Sequence, residues 1–195
     1  MKKILAATVL LSLGLTWTTS TVEASWLSKA WNRLETSSNN LAKENSLPTH
    51  ADYNYPHTMG AMYGQDLPRE DWQIAGIHLL DTESALNSLG TADKVTNKKG
   101  MISKTQYYYG GITYNVDWDG RISYINVTNR DAVTNRGIAV GDSLVKVYEA
   151  YGAPTNITTD DTWVYGYYKY ATDQGKTLEF STKNKKVTNI SMIIS

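Results

Sequence analysis

The chain has 195 residues, with 19 basic and 19 acidic side chains and therefore no formal net charge at pH 7. This balance disfavours nucleic-acid binding, because a DNA- or RNA-binding surface needs a clustered excess of basic residues. The chain contains no cysteine, which excludes disulfides, a thiol nucleophile, thiolate metal ligands and the lipid attachment of a bacterial lipoprotein. The aromatic residues are 14 Tyr, 6 Trp and 1 Phe, a composition typical both of strands and of binding surfaces.

The N-terminus has the features of a cleavable secretory signal peptide. A pair of lysines precedes an apolar run from Ile4 to Trp17, and the small residue Ala24 stands at the expected cleavage point. We therefore expect residues 1–24 to be removed and residues 25–195 to be exported to the periplasm, the cell envelope or the medium. A retained N-terminal membrane anchor is the alternative. We expect no transmembrane segment after cleavage, because no later apolar run reaches the roughly 20 residues that a spanning helix needs.

Residues 25–70 are predicted to form an N-terminal helix followed by an irregular leader. Trp26, Ala30 and Leu34 repeat at intervals of four residues, which predicts a helix from Ser25 to about Asn45. This helix either packs on the folded body, forms a loose arm or lies on a membrane surface. The stretch that follows is rich in proline, glycine and asparagine and is predicted to be irregular.

A short glycine-containing segment occurs twice in the chain, first as Gly76–Thr82 and again as Gly137–Ser143. Each copy leads into a helical pattern that ends at a glycine, as expected for a left-handed helix stop. In the second copy, either Asp142 or Ser143 is expected to cap the helix by accepting from free backbone N–H groups. The residues that define this structural motif are Gly76, Asp81, Gly90, Gly137, Asp142 and Gly152.

Alternating apolar and polar residues predict antiparallel strands after each helix. Residues 112–118 alternate, and Asp119-Gly120 predicts a two-residue hairpin turn into a return strand. The second copy has strand patterns at residues 163–170, 178–180 and 190–194, with a turn near Asn184-Lys185.

The predicted fold class is α+β, with two tandem repeats at residues 71–131 and 132–195. Each repeat is expected to be a helix, or a helical pair, packed on a three- to four-stranded antiparallel sheet. Whether the repeats share one sheet or form two small domains stays open.

The second copy carries a family resemblance. The segment Gly137–Ser143, a short helix ending at 151–154 and a β-meander resemble the BamE/SmpA-like domain, and a tandem pair resembles the arrangement in the β-lactamase inhibitor protein family. The resemblance covers about residues 70–195 and implies two helix-plus-sheet units whose joined sheets form a curved surface. Members of that superfamily are mostly interaction proteins of the cell envelope or secreted inhibitors. This chain lacks both the lipid-attachment cysteine and the disulfides, so neither an outer-membrane assembly role nor β-lactamase inhibition is carried over.

The sequence contains no recognisable catalytic motif, and we expect no catalytic residue, metal site or cofactor. His50, Asp52 and His57 are close in sequence, but their spacing matches no familiar zinc signature. Residues 117–120 begin like a calcium loop but lack the bidentate glutamate at its twelfth position, so the hairpin interpretation is preferred.

The aromatic strands suggest a binding surface. Because helices on one side of a sheet leave the other side exposed, one set of aromatic side chains is expected to face outward and to bind an extracytoplasmic protein. The same rings also suit a cell-wall glycan, which is the alternative. A third interpretation is that the leader covers them and they form ordinary core. The candidate contact residues are Tyr107, Tyr109, Trp163, Tyr165 and Tyr167.

Overall fold

The computed structural model describes residues 21–97 and 102–195 of the chain. Most of the predicted signal peptide, residues 1–20, lies outside the described residues. Within the described residues the chain divides into two units, and the boundary lies between Ala42 and Lys43.

A single long helix leads into the second unit. Helix α1 spans Thr21–Asn45, so the helix predicted from Ser25 is confirmed to Asn45 and begins four residues earlier than expected. In the described part of the chain, no helix is both long enough and apolar enough to cross a membrane.

The second unit is built on a nine-stranded antiparallel sheet. The chain forms strands β1 (Met62–Gly64), β2 (Gln73–Ile74), β3 (Ile77–His78), β4 (Lys94–Asn97), β5 (Ile102–Tyr108), β6 (Ile112–Asp117), β7 (Ile122–Val127), β8 (Asn156–Ile157), β9 (Trp163–Lys169), β10 (Gly175–Lys183) and β11 (Lys186–Ile194). The large sheet has the order β1-β9-β10-β11-β7-β6-β5-β4, and β8 also pairs with β9. Strands β2 and β3 form a separate hairpin. The predicted α+β class is therefore confirmed, and the two groups of strands, β4–β7 and β8–β11, join in one sheet through the β7–β11 pair.

The helices of this unit are short. Helices α2 (His50–Tyr53) and α3 (Leu144–Tyr151) are accompanied by two 3-10 helices, Arg69–Asp71 and Glu83–Leu89. Ser143 is the N-cap of α3, because its side chain accepts a hydrogen bond from the Lys146 N–H at 3.3 Å, and Gly152 ends the helix with φ of 76°.

The helix predicted in the first glycine-motif copy is a 3-10 helix instead, and it ends at Gly90. Within it, the Ser88 hydroxyl donates to the Ala85 carbonyl at 2.8 Å. Such local hydrogen bonds compete with the α-helical pattern.

The hydrophobic core lies between the sheet and these short helices. Side chains of five adjacent strands form one inward-facing row whose members are 0–3% exposed. Val147 of α3, Leu86 of the 3-10 helix and Ile74 and Ile77 of the small hairpin belong to the same core. The row consists of Tyr165, Leu178, Met192, Ile125 and Tyr114.

Two local predictions need correction, and a third is confirmed. The segment after α1 was expected to be irregular but contains α2 and the edge strand β1. The hairpin after β6 has a three-residue loop, 118–120, rather than a two-residue turn, because the Asp117 N–H donates to the Arg121 carbonyl at 2.8 Å. The turn at Asn184-Lys185 is confirmed, and both residues have positive φ, 53° and 56°.

The two glycine-motif segments make corresponding hydrogen bonds. The His78 N–H donates to the Asp81 carboxylate at 2.9 Å, and the Ala139 N–H donates to the Asp142 carboxylate at 3.0 Å. Two residues further along each copy, a backbone N–H donates to a strand carbonyl at 2.7 Å. The Leu80 N–H donates to Ile122, the first residue of β7, and the Gly141 N–H donates to Val187, the second residue of β11. Asp81 and Asp142 therefore accept structural hydrogen bonds, and the four glycines of the motif have positive φ.

Candidate functional site

Trp163 and Tyr165 point into the core rather than outward. Their side chains are 2% and 3% exposed, and the Tyr165 hydroxyl donates to the Gly152 carbonyl at the end of α3 at 3.0 Å. The Trp163 ring packs edge-on against Tyr148 of α3 with centroids 6.2 Å apart. The prediction that these two residues face outward is therefore wrong, since both side chains are buried in the core of the folded chain.

The remaining candidates are spread over the unit. Tyr167 is half-buried and shares the strand face of Tyr165. Tyr109 is 53% exposed beyond the end of β5, and its hydroxyl donates to the Leu89 carbonyl at 2.6 Å. Tyr107 is half-buried on the face of β5 opposite the core. The structure thus does not gather the five predicted contact residues into one surface.

The sheet has a second face, opposite the core, that the sequence analysis did not assign. Two cross-strand rows of six side chains run across β10, β11, β7, β6, β5 and β4 on this face. We call these twelve side chains the polar face. The first row is Thr177, Ile193, Tyr124, Asn115, Thr105 and Thr96, and the second is Glu179, Ser191, Asn126, Thr113, Tyr107 and Lys94.

The short helices pack on the other side of the sheet. Tyr151 of α3 contacts Tyr165 and Phe180, with ring centroids 5.3 and 5.5 Å away, and Glu83 of the 3-10 helix accepts from the inward-facing Gln106 at 2.7 Å. On the polar face, nine of the twelve side chains are half-buried and Lys94 is exposed. The small side chains of Thr105 and Ser191 are buried between larger neighbours.

Neighbouring side chains of the polar face are linked by hydrogen bonds. The Thr105 hydroxyl donates to the Asn115 amide oxygen at 2.9 Å, and Asn189 donates to the Asn126 amide oxygen at 2.8 Å. Lys94 lies over the Tyr107 ring at 5.5 Å from its centroid. These contacts restrain Asn115, Asn126 and Tyr107, so these three side chains have less conformational freedom to lose on binding than free side chains would.

Glu179 is the acidic member of the polar face. Burial raises the pKa of its carboxyl, the hydrogen bond from Thr177 opposes the shift, and the charge of Asp160 adds to it. Burial also raises the pKa of Tyr124, with a smaller effect of the Glu179 charge.

A shallow depression of about 370 Å³ lies at the β4–β6 end of the polar face. Lys94, Tyr107 and Thr113 of the face line it together with Asp93 and Gly110. A second depression, of about 310 Å³, lies where residues 44–49 meet the sheet, and Trp163 is one of its lining residues.

An aromatic cluster stands at the opposite, β1 edge of the sheet. His57 is stacked between Tyr55 and Tyr170, with ring centroids 4.6 and 4.8 Å away. Tyr63 of β1 stacks on Tyr168 of β9 at 5.8 Å, and these two residues are directly paired in the sheet. Tyr55 and Tyr170 remain 45% and 40% exposed. We call these five residues the β1-edge cluster; the sequence signal for it was the recurrence of tyrosine within the leader, which was interpreted only as irregular.

The leader residues considered for metal binding have other contacts. His50 Nδ1 lies 2.6 Å from the Ile157 carbonyl oxygen, and the Asp52 carboxylate accepts from the Thr49 N–H at 2.7 Å. His57 belongs to the β1-edge cluster. Within residues 21–97 and 102–195, no group of three or more His, Asp or Glu side chains is placed to hold a metal ion.

The chain matches no protein-family model, no curated protein and no solved structure.

Proposed function

We propose that this chain is an exported, non-catalytic protein that binds another extracytoplasmic protein through the polar face. The observation that carries the proposal is the pair of cross-strand rows, in which twelve side chains from six strands lie in register on the side of the sheet opposite α3. The rows offer hydrogen-bonding groups across the breadth of a sheet whose opposite face is filled by the core.

The composition of the polar face suits protein recognition. Tyrosine supplies a large, stiff contact surface, whereas serine, threonine and asparagine supply adaptable hydrogen bonds, which is the combination found in antibody combining sites. Tyr107 and Tyr124 provide the rings, and one lysine and one glutamate leave the face without net charge. A neutral, hydrogen-bonding surface of this kind favours a protein over an anionic polymer.

The expected destination follows from the N-terminus. We infer cleavage after Ala24 and delivery of residues 25–195 to the periplasm, the cell envelope or the medium, because residues 1–24 have the pattern of a signal peptide. The partner is then a protein of one of those compartments.

We further propose that residues 71–131 and 132–195 are tandem repeats of a BamE/SmpA-like unit. The corresponding hydrogen bonds of Asp81 and Asp142 support this proposal. So do the register shifts at similar places in two hairpins, between Asn115 and Val116 in β6 and between Ser181 and Thr182 in β10. In that arrangement β7 and β11 are equivalent strands and the polar face is formed by both repeats.

The proposal is tested by affinity capture with a pair of charge-balanced variants. The tagged exported chain serves as bait for the extracytoplasmic proteins of the source cell, in parallel with Thr113→Lys/Ile193→Glu, which disturbs the polar face. The control, Asn87→Lys/Ser88→Glu, introduces the same charges at exposed positions of the 3-10 helix on the other side of the sheet. We expect one protein to be enriched by the wild type and the control and lost with the polar-face variant. Equal capture by all three folded baits would contradict the proposal.

A cell-wall or other glycan ligand is the second candidate, and the β1-edge cluster favours it. Tyr55 and Tyr170 are partly exposed rings at the two ends of a stack, and flat exposed rings can stack on sugars. If this candidate is correct, the chain sediments with purified wall material, and Tyr55→Ala/Tyr170→Ala abolishes sedimentation while Thr113→Lys/Ile193→Glu does not.

A further inference from the structure

Glu179 occupies an unusual position in the middle of β10. Leu178 and Phe180 on either side of it are fully buried in the core, so the Glu179 side chain points to the polar face. It stands in register between Ser191 of β11 and Val164 of β9, which are 7% and 6% exposed. The carboxyl group is therefore half-buried among small or apolar neighbours rather than extended into solvent.

The contacts of Glu179 leave its charge without a counter-ion. Its hydrogen bond is from the Thr177 hydroxyl on the same strand, at 2.9 Å. The titratable groups that face it from other elements are Tyr124 of β7 and Asp160 of the loop between β8 and β9, and neither is a cation. No lysine, arginine or histidine of the described residues makes an ion pair with Glu179, whereas seven other carboxylates have such a partner: Asp66, Asp71, Asp81, Glu83, Asp119, Asp142 and Glu149.

A partly desolvated carboxylate without a counter-ion destabilises the free protein. A cation that binds beside the carboxylate removes part of this cost and so gains binding free energy. The proposed function already brings a protein surface onto this face. We propose that Glu179 anchors a lysine or arginine side chain of the partner protein, and this inference rests on the proposed function.

The surroundings of Glu179 favour a basic side chain over a metal ion. A hard cation such as Ca²⁺ takes six to eight oxygen ligands, and no group of three or more acidic or histidine side chains is gathered for a metal in the described parts of the chain. A single carboxylate with Thr177 and Ser191 hydroxyls beside it matches the needs of an ammonium or guanidinium group, which forms a charge-assisted hydrogen bond with one carboxylate. The nearby Tyr124 ring provides a further surface on which such a cation can rest.

The inference is tested with a library of random peptides displayed on phage and selected on the purified exported chain. Clones that bind the polar face are recognised because they do not bind Thr113→Lys/Ile193→Glu. We expect these clones to be enriched in lysine and arginine and to bind Glu179→Gln at least about tenfold more weakly than wild type, as for loss of one hydrogen bond to a charged group. Changing the basic residue of the peptide to glutamine should cause no further loss in Glu179→Gln.

The matched control is Glu149→Gln, which removes an exposed carboxylate on α3, the partner of Lys43; it should leave binding unchanged. Melting curves check that Glu179→Gln is folded, and wild-type binding at acidic pH supplies a second measurement, because protonation of Glu179 should weaken the same clones. Polar-face clones without basic residues, or clones that bind Glu179→Gln as tightly as wild type, would overturn the inference. If the captured partner is still lost with Thr113→Lys/Ile193→Glu in that case, the proposed function stands without the role inferred for Glu179.

Discussion

Asp71 and Glu179 are both shielded carboxylates, but only Asp71 has a cation beside it. Asp71 is 1% exposed and is bound by two nitrogens of the Arg136 guanidinium at 2.5–3.1 Å. That guanidinium also donates to the Ala150 carbonyl and lies over the Tyr151 ring, 4.6 Å from its centroid. The pair therefore ties the 3-10 helix before β2 to the C-terminal end of α3, and we assign it a structural role, in contrast to the role proposed for Glu179.

Removal of the Arg136 charge should strongly destabilise the fold. In Arg136→Met the Asp71 carboxylate stays buried without its counter-ion, and we expect a loss of about 3 kcal/mol in the free energy of unfolding. The control Arg121→Met removes an exposed side chain that pairs with Asp119 at 3.8 Å and donates to the Leu80 carbonyl at 3.0 Å, and it should change stability by about 1 kcal/mol at most. Urea unfolding of both variants measures the difference. Similar losses in the two variants would show that the Asp71 pair is not a buried support.

Glu179→Gln should change stability in the opposite direction and in a pH-dependent way. Burial raises the pKa of Glu179 above its ordinary value of 4.5, so the folded chain binds this proton more tightly than the unfolded chain does. The stabilisation from that proton is present at low pH and is lost as the pH rises through the raised pKa. Glu179→Gln should therefore melt at a higher temperature than wild type at pH 7, and this difference should shrink towards about pH 4. A variant that is less stable than wild type at pH 7, or a difference independent of pH, would contradict this assignment.

At the scale of elements, alternation predicts strands well but does not decide which face is buried when both faces carry aromatic residues. In β9 both sets are aromatic, and the burial of Trp163 and Tyr165 follows from their cross-strand neighbours Phe180 and Leu178. That pairing is a tertiary fact, which the local pattern of β9 does not contain. Strand β1 was missed for a related reason, since its three residues, Met62–Gly64, are too few to show a period.

Two glycines on different hairpins allow a matched test of the sheet geometry. At Gly166 of β9, φ is +93° and an added Cβ would lie 2.3 Å from the Lys176 carbonyl oxygen and 2.8 Å from the Trp72 ring. At Gly120, φ is +79° and no atom lies within 4 Å of an added Cβ. Gly120→Ala should cost about 1–2 kcal/mol from backbone strain alone, whereas Gly166→Ala should cost more than about 3 kcal/mol because backbone and core must also move. Equal costs in denaturant unfolding would contradict the packing described between β9 and β10.

At the scale of the whole chain, composition and the spacing of the glycine motif predicted an α+β class with antiparallel strands, and that class is confirmed. The sequence left open whether both strand groups join in one sheet. The joining depends on the pairing of β7 with β11, whose paired residues are separated by 63 to 69 positions in the sequence. The polar face could not be found for the same reason, since its two rows combine residues from six strands. The sequence did indicate that tyrosine-rich strands form a binding surface. Of the five candidate contact residues, however, only Tyr107 lies on the polar face.

Binding through the polar face is tested most directly by hydroxyl-radical footprinting of residues 25–195 with and without the captured partner. Tyr107 and Tyr124 report on the polar face, and Tyr148, which is 39% exposed on α3, reports on the opposite side. We expect Tyr107 and Tyr124 to lose modification when the partner binds, with Tyr148 unchanged. Protection of Tyr148 with no change at Tyr107 and Tyr124 would place the partner on the helical side and contradict the proposed function.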